Sequence, residues 1–447
     1  MRTHLDDNDR AGRAGPAGKA GWLLLVLVLL FLPAFPAGPA HPAVLVAQVP
    51  YDQAVAGLTS ADAKVRLHSA RLLKESAYVE AAVPLARLIG DPDNAVQFEA
   101  IEAEVRIFTA GKVGPRRVGI ITIEDRSRPE ALSALEGGPL MLTAARVPSA
   151  VLAALRLAIR DDSPRVSVEA LHGFGALGSQ LTGGARRDLL QGSLADLTAL
   201  LSLPDPALRI AAVRVIGRLY EKRAGDGPIA QPLGNLVIAA VNENDRVMKL
   251  AAMETLGAIR ETRAAGGLTE LYQFYRKGGL AEGALASLAR IGDKSTAPLF
   301  LMQLSGRSAV RKALAIEGLA RTGDASHMAA IQNAIKGEHD ARVILAGNFA
   351  AAMLSNSPIE QLVDALNRPK SHDTARQYLV EVAPGRVSRM ARYAQDPTPR
   401  MRIDVADIVG LADDPQGVAV VAPLRTDSDA QVKVAAERAT LRLTPDR

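Results

Sequence analysis

Apolar residues recur at three- and four-residue steps along most of the chain, in segments that short polar turns separate. Each turn is rich in Asp, Pro and Ser, a basic residue usually follows it, and Gly often ends the segment. Asp and Pro favour helix starts, Gly favours helix ends, and the apolar spacing marks one buried helix face. The pattern therefore predicts repeated amphipathic helices, seen in 60–73, 161–178, 203–217, 244–257, 308–324, 396–410 and 427–440.

A second amphipathic segment precedes each of these turns, as in 149–159, 233–241 and 387–394. The repeating unit is therefore a pair of helices, and a single pair cannot bury its own apolar face. Stacked pairs bury a continuous core, which predicts an all-α solenoid. We predict about eleven pairs, which start near 50, 78, 148, 184, 229, 264, 296, 326, 358, 386 and 416.

The repeats resemble HEAT repeats, in particular the short class called PBS-lyase HEAT-like repeats. That class has the pattern Asp-x-x-Val-Arg-x-x-Ala-Ala-x-Ala-Leu-Gly, which residues 205–217, 245–257 and 396–410 match imperfectly. The similarity covers most of 50–443. It implies an α-α superhelix, and this fold hosts many functions.

The resemblance also leaves an enzyme open, of the lyase or hydroxylase kind, or an accessory subunit of one. The iron-binding hydroxylases among HEAT-like proteins use His-Glu pairs, and this chain has no His-Glu dipeptide. Phycobilin lyases act inside the cell, which fits poorly with the N-terminal segment of this chain. We therefore expect a non-catalytic protein.

The first 47 residues form a leader. A polar segment with several basic residues precedes the apolar run Trp22–Leu32, and prolines with small residues follow it. This order is typical of a secretory signal, with cleavage expected after Ala40 or Ala47. The alternative is an uncleaved anchor that continues through 44–46. Both predict export, to the periplasm or cell envelope, and any membrane contact would come from an uncleaved leader alone.

Composition narrows the chemistry. The absence of cysteine excludes disulfides, thiolate metal sites and cysteine nucleophiles. A net charge of +5 on 447 residues gives no reason to expect a nucleic-acid partner. None of the seven histidines has the spacing of a known metal motif, so we expect no metal and no cofactor. Gly173, Gly175 and Gly178 match the spacing of a dinucleotide loop, but they follow a predicted helix, so we interpret them as a helix stop.

Residues 109–147 interrupt the repeats and separate two pairs at 48–108 from the longer array at 148–447. Residues 118–123 are rich in β-branched side chains and predict an extended piece, whereas 130–135 predict a helical turn. Long insertions in solenoids often form part of the binding surface; a tolerated excursion without a function is the alternative. The candidate binding residues are the charged side chains Arg116, Arg117, Glu124, Asp125, Arg126 and Arg128.

A basic residue also recurs near the start of many second helices, and stacking would align these residues into a ladder. The ladder could dock an acidic partner, or each side chain could bind turn carbonyls and the Asp of a neighbouring repeat. Acidic residues on the same helices favour the structural interpretation. The ladder residues are Arg66, Arg209, Lys249, Arg311, Arg342, Arg376, Arg402 and Lys433. Together, the sequence predicts an exported HEAT-like scaffold that binds an unknown protein through its concave face and its insertion.

Overall fold

A computed structural model describes residues 51–109, 116–118, 121–123, 129–223 and 225–444, and these belong to one compact unit. The predicted leader lies outside the described residues. No helix among the described residues has the length and hydropathy that a membrane crossing needs.

The described part of the chain contains eleven helix pairs, as predicted, together with one helix in the insertion. The first members of the pairs are α1 (Tyr51–Gly57), α3 (Ala82–Ala86), α6 (Ser149–Ala158), α8 (Gly183–Leu200), α10 (Gln231–Ala240), α12 (Ala265–Tyr275), α14 (Ala297–Leu304), α16 (Met328–Ile335), α18 (Glu360–Leu366), the 3₁₀ helix Val387–Gln395, and α21 (Gly417–Val421). The second members are α2 (Ala63–Ser76), α4 (Asn94–Phe108), α7 (Pro164–Gly178), α9 (Pro206–Leu219), α11 (Arg246–Ala258), α13 (Gly279–Ile291), α15 (Ala309–Arg321), α17 (Ala341–Leu354), α19 (His372–Val382), α20 (Pro399–Leu411) and α22 (Ala430–Leu443).

Short 3₁₀ segments begin or end several first helices. They are Val79–Ala81, Arg87–Gly90, Thr262–Ala264, Lys294–Thr296, Ala325–His327 and Ala422–Thr426.

The polar turns begin the second helices through their side chains. The Asp205 carboxylate accepts hydrogen bonds from the backbone N–H of Ala207 (2.7 Å) and Leu208 (3.2 Å) at the start of α9. Such caps satisfy N–H groups that have no partner within the helix. The same role falls to Asp62, Asp93, Asp245, Asp340 and Asp429.

The second helices pack against one another in sequence and form a continuous apolar core. Small residues permit the closest approaches: a methyl group added at Gly410 would lie 2.8 Å from the Cα of Ala439 on α22. The apolar core therefore lies between helices whose backbones approach closely, which the small alanine and glycine residues allow.

Gly173 and Gly175 lie inside α7 and do not end it, which corrects our interpretation of these residues as a helix stop. A methyl group at Gly175 would lie 2.8 Å from a methyl carbon of Val215 on the next second helix. These glycines therefore serve close packing between stacked helices, and only Gly178 stands at the helix end.

The insertion contains a two-stranded antiparallel hairpin, with β1 (Arg116–Val118) paired to β2 (Ile121–Ile123), followed by α5 (Glu130–Gly137) and a 3₁₀ turn (Pro139–Met141). Ala131, Ala134 and Leu135 of α5 are buried, and α5 packs on α7. The second half of the insertion is therefore part of the core.

The last helix contacts the segment that follows α5. The Arg438 guanidinium on α22 donates to the carbonyl oxygen of Leu142 (3.5 Å), and Arg146 donates to the carbonyl oxygen of Thr444 (3.4 Å). The array thus returns to its own insertion.

Candidate functional site

A cavity of about 720 Å³ lies among the ends of the second helices. Its wall includes the end of the insertion, Gly137–Leu140, and residues from α9 through α22. Because the last helix meets the insertion, residues distant in sequence surround one space.

The cavity is strongly cationic. Eight basic residues and three acidic residues line it. The basic residues are Arg218, Lys222, Arg223, Arg260, Arg290, Arg321, Arg376 and Arg442, and the acidic ones are Glu221, Asp373 and Glu381.

Most of these arginines stand in or just after the last turn of a second helix, where the helix dipole favours positive charge. They donate to backbone carbonyls near helix ends: Arg218 binds the carbonyl of Leu135 (2.8 Å), and Arg321 binds that of Ala289 (3.1 Å). These bonds fix the guanidinium groups at the cavity wall.

Two glutamates neutralise part of the charge. Glu381 forms ion pairs with Arg321 (2.9 Å) and Arg260 (3.0 Å). Burial alone would raise the pKa of Glu381, but these arginines outweigh burial and hold the pKa below its ordinary value. Glu221 pairs with Arg290 (3.2 Å) and Arg218 (3.6 Å).

Arg223 and Arg442 form no ion pair within the described part of the chain. Arg223 donates to the carbonyl oxygens of Leu181 (2.9 Å) and Ser179 (2.9 Å). Burial lowers the pKa of Arg223 to about 9, and the positive charges of Arg442 and Arg186 contribute to this shift. Lys222 is likewise without an ion pair among the described residues and donates to the carbonyls of Asp226 and Gly227 (2.7 Å for Gly227). Three of the eight cavity cations therefore have no carboxylate of their own.

Arg442 is the more deeply buried of the two, with 5% of its surface exposed. Its Nε donates to the carbonyl oxygen of Gly410 (3.3 Å), while its Nη1 is buried and has no hydrogen-bond partner. Burial lowers the pKa of Arg442. A buried guanidinium nitrogen without a partner is unusual in native proteins, since buried polar groups are nearly always satisfied.

The candidate binding residues of the insertion are only partly described. Arg116 and Arg117 belong to β1, whereas Glu124, Asp125, Arg126 and Arg128 lie outside the described residues.

The base of the insertion is tied to the repeats at several points. The N–H of Thr143 donates to the carbonyl of Phe108 (2.7 Å), and Thr109 and Leu142 form an antiparallel bridge. At the other end, the N–H of Glu130 donates to the Glu102 carboxylate (2.9 Å). The hairpin thus arises between two fixed points.

The ladder residues mostly contact their own array. Arg66 binds both carboxylate oxygens of Asp91 (2.7 and 2.8 Å), and Arg402 binds those of Asp427 (2.7 and 2.8 Å) in the same way. Each also donates to two carbonyls of its own turn. The same arginine bridge therefore joins the first pair to the second and the tenth pair to the eleventh.

The other ladder residues have more varied surroundings. Arg209 pairs with Glu243, Arg311 donates to the carbonyl of Arg276 (2.7 Å), and Arg342 pairs with Asp340 (2.7 Å) in its own turn. Lys249 is half-buried and Lys433 is exposed. Of the eight ladder residues, Arg376 alone lines the cavity.

Apart from Arg376, the cavity arginines are not among the site residues predicted from the sequence. Their signal was a basic residue near the end of successive second helices, as in Gly217-Arg218, Ala289-Arg290 and Ala320-Arg321. This pattern lies at the opposite end of the second helices from the predicted ladder.

Among the residues that the structure describes, no three His, Asp or Glu side chains are grouped so that they could hold a metal ion. His372 is held by Asp404 (2.9 Å) and Asp373 (3.0 Å). Burial lowers the pKa of His172 to about 4.

No protein-family model matches the sequence, and no curated protein matches it. Solved structures of similar shape include an engineered protein, 18% identical with a TM-score of 0.44, which covers 88% of this chain and 98% of its own. Another structure comes from work on a phosphorylation switch that controls the interaction between cadherin and beta-catenin. It is 12% identical, has a TM-score of 0.41, and covers 88% of this chain and 90% of its own. A designed armadillo repeat protein in complex with the peptide (KR)4 is 15% identical, with a TM-score of 0.37 and coverage of 61% and 99%. These neighbours are helical-repeat proteins, and the narrower PBS-lyase HEAT-like class remains a hypothesis.

Proposed function

We propose that the chain is an exported, non-catalytic scaffold that binds another protein through its insertion and the concave side of its repeats. The observation that carries this proposal is the fixed base of the insertion. Across its base, Thr109 pairs with Leu142 and the N–H of Thr143 donates to the carbonyl of Phe108, while the N–H of Glu130 donates to a carboxylate on α4. A loop held at both ends by a rigid framework is a common way to present binding residues.

The location of the insertion supports the same proposal. Gly137–Leu140, at its end, lines the cavity together with the ends of the second helices. The end of the insertion and the ends of the second helices therefore form one surface, which we propose to be part of the binding side. A solenoid offers such a surface by shape, without any catalytic group.

The test is capture of a partner by the mature protein from an envelope extract of the source organism. Deletion of the whole insertion is unsuitable, because Leu135 and Leu142 are buried in the core. The useful variant replaces only the four arginines of the insertion with serine: Arg116, Arg117, Arg126 and Arg128. A second variant carries Glu124→Gln and Asp125→Asn.

The matched control removes four exposed basic residues from the repeats, namely Arg87, Arg307, Lys370 and Arg425. We expect a captured protein to be lost with an insertion variant and kept with the control. Equal capture by all variants would move the site away from the insertion charges. No captured protein with any bait would contradict the scaffold proposal.

Export is tested separately. N-terminal sequencing of the protein from its own cells should find a start after Ala40 or Ala47. An intact Met1 on a protein recovered from the cytoplasm would overturn this part of the proposal.

A further inference from the structure

Three of the eight cavity cations, Lys222, Arg223 and Arg442, have no carboxylate partner among the described residues, and this imbalance suggests a ligand. Glu221 and Glu381 each already serve two arginines. Arg223 and Arg442 are left with backbone carbonyls as their hydrogen-bond acceptors. Charges buried without a partner are costly, and arginine cannot relieve the cost by losing its proton at physiological pH.

The orphan Nη1 of Arg442 gives the location. Its side chain is almost fully buried and belongs to the cavity wall, and its Nη1 has no acceptor. An acceptor oxygen supplied from the cavity would satisfy a donor that the protein itself leaves unsatisfied.

The size and shape of the site define the ligand class. The volume of about 720 Å³ falls within the range of roughly 300–1,000 Å³ that is typical of small-molecule sites. Guanidinium groups match carboxylate and phosphate oxygens with paired, charge-assisted hydrogen bonds. The eight basic against three acidic lining residues favour a ligand with more than one negative charge.

We propose that this cavity binds a compact, multiply charged oxyanion, whose phosphoryl or carboxylate oxygens contact Arg442 and Arg223. The anion site uses cations at the ends of the second helices and none of the charged residues in the hairpin region, so it can be tested separately from the proposed protein partner, although both proposals involve the surface where Gly137–Leu140 meets those helix ends. Arg376, half-buried at the wall and paired with an exposed Asp373, provides a further cation for such a ligand.

The test uses the purified mature protein with two probes, inorganic pyrophosphate and citrate, at an ionic strength held constant with sodium chloride. Isothermal titration calorimetry gives the Kd and stoichiometry, and thermal unfolding gives the shift on binding. We expect one bound anion per chain and a raised unfolding temperature. Binding of pyrophosphate alone would assign a phosphoryl ligand, and binding of citrate alone a carboxylate ligand; both results support the site.

Arg442→Met is the main variant and should weaken binding by more than about tenfold, because it removes a charge-assisted contact. Without a ligand, the unfolding temperature of this variant should equal or exceed that of the wild type, since an unpaired buried charge is gone. A purely structural arginine would instead lower it. Arg425→Met, at an exposed position of the last repeat, is the control for loss of one charge and should bind like the wild type.

Arg376→Gln keeps the test valid if the main variant does not fold, because its side chain is paired only with an exposed carboxylate. We expect weaker binding with an unchanged unfolding temperature. The proposal is overturned if neither probe binds above the chloride background, or if Arg442→Met and Arg376→Gln bind as tightly as the wild type.

Discussion

Replacement of Glu102 by Gln should make the protein more stable at alkaline pH and leave its stability at acidic pH nearly unchanged. Glu102 is buried on α4, accepts a hydrogen bond from the N–H of Glu130 (2.9 Å), and lies 3.4 Å from the amino group of Lys74. Burial and the neighbouring carboxyl of Glu169 raise its pKa to about 7. The pKa of Glu169 is also raised, mainly by burial.

The sign follows from linkage. A carboxyl whose pKa is raised on folding stabilises the protein fully below its unfolded value of 4.5 and loses that contribution as the pH rises through about 7. Each pKa unit corresponds to about 1.4 kcal/mol, so ionised Glu102 costs about 3 kcal/mol of the free energy of unfolding at pH 8.5. Glutamine keeps an oxygen for the Glu130 N–H, offers an N–H to Glu169, and carries no charge.

The assay is urea unfolding of wild type and variant at pH 5 and pH 8.5, followed by far-UV circular dichroism. We expect Glu102→Gln to gain about 2 kcal/mol over the wild type on moving from the lower to the higher pH. Glu75→Gln, at an exposed position of α2, is the matched control and should show no such gain. If the difference between Glu102→Gln and wild type is the same at both pH values, the carboxyl is not the buried, costly group described here.

Three further substitutions test the packing and the ion pairs. Gly410→Val should destabilise the protein by about 2 kcal/mol, because even its Cβ would lie 2.8 Å from the Cα of Ala439; thermal unfolding measures this, and a tolerated valine would contradict the close approach. Arg402→Met should lower the unfolding temperature more than Arg342→Met, since only the former arginine bridges two repeats; equal effects would deny that bridge a special role. Glu381→Gln should cost about 2 kcal/mol in chemical unfolding, because it leaves Arg260 without a carboxylate and Arg321 with Glu317 alone; an unchanged free energy of unfolding would contradict a stabilising role for these two ion pairs.

The sequence predicted the local features of the fold because they depend on neighbouring residues. The Asp205 cap and the prolines that open α7, α9 and α20 act within one turn, so their spacing alone reveals the helix starts. The number of helix pairs follows directly from these starts.

The cavity could not be predicted in the same way. Arg218 and Arg442 are separated by most of the array, and they share a wall only because the last helix meets the segment after α5. The contact between the last helix and this segment depends on how each helix pair is rotated relative to the next, and no local sequence pattern specifies that rotation. The packing of Gly175 against Val215 was not predicted for the same reason. From sequence alone, a glycine that packs against another helix cannot be distinguished from a glycine that ends its own helix.

The bonds from Arg438 to Leu142 and from Arg146 to Thr444 change how the array should respond to force and to damage. An open solenoid behaves as a spring whose terminal repeats fray first, since each repeat depends on its immediate neighbours. Here the final helix α22 is hydrogen-bonded to the segment that precedes α6, so the last repeat depends on an early part of the chain as well as on its neighbour. Stretching the array would have to break these contacts before the last repeat could separate. Removal of the last helix should therefore increase hydrogen exchange around Leu142, although the two are far apart in sequence.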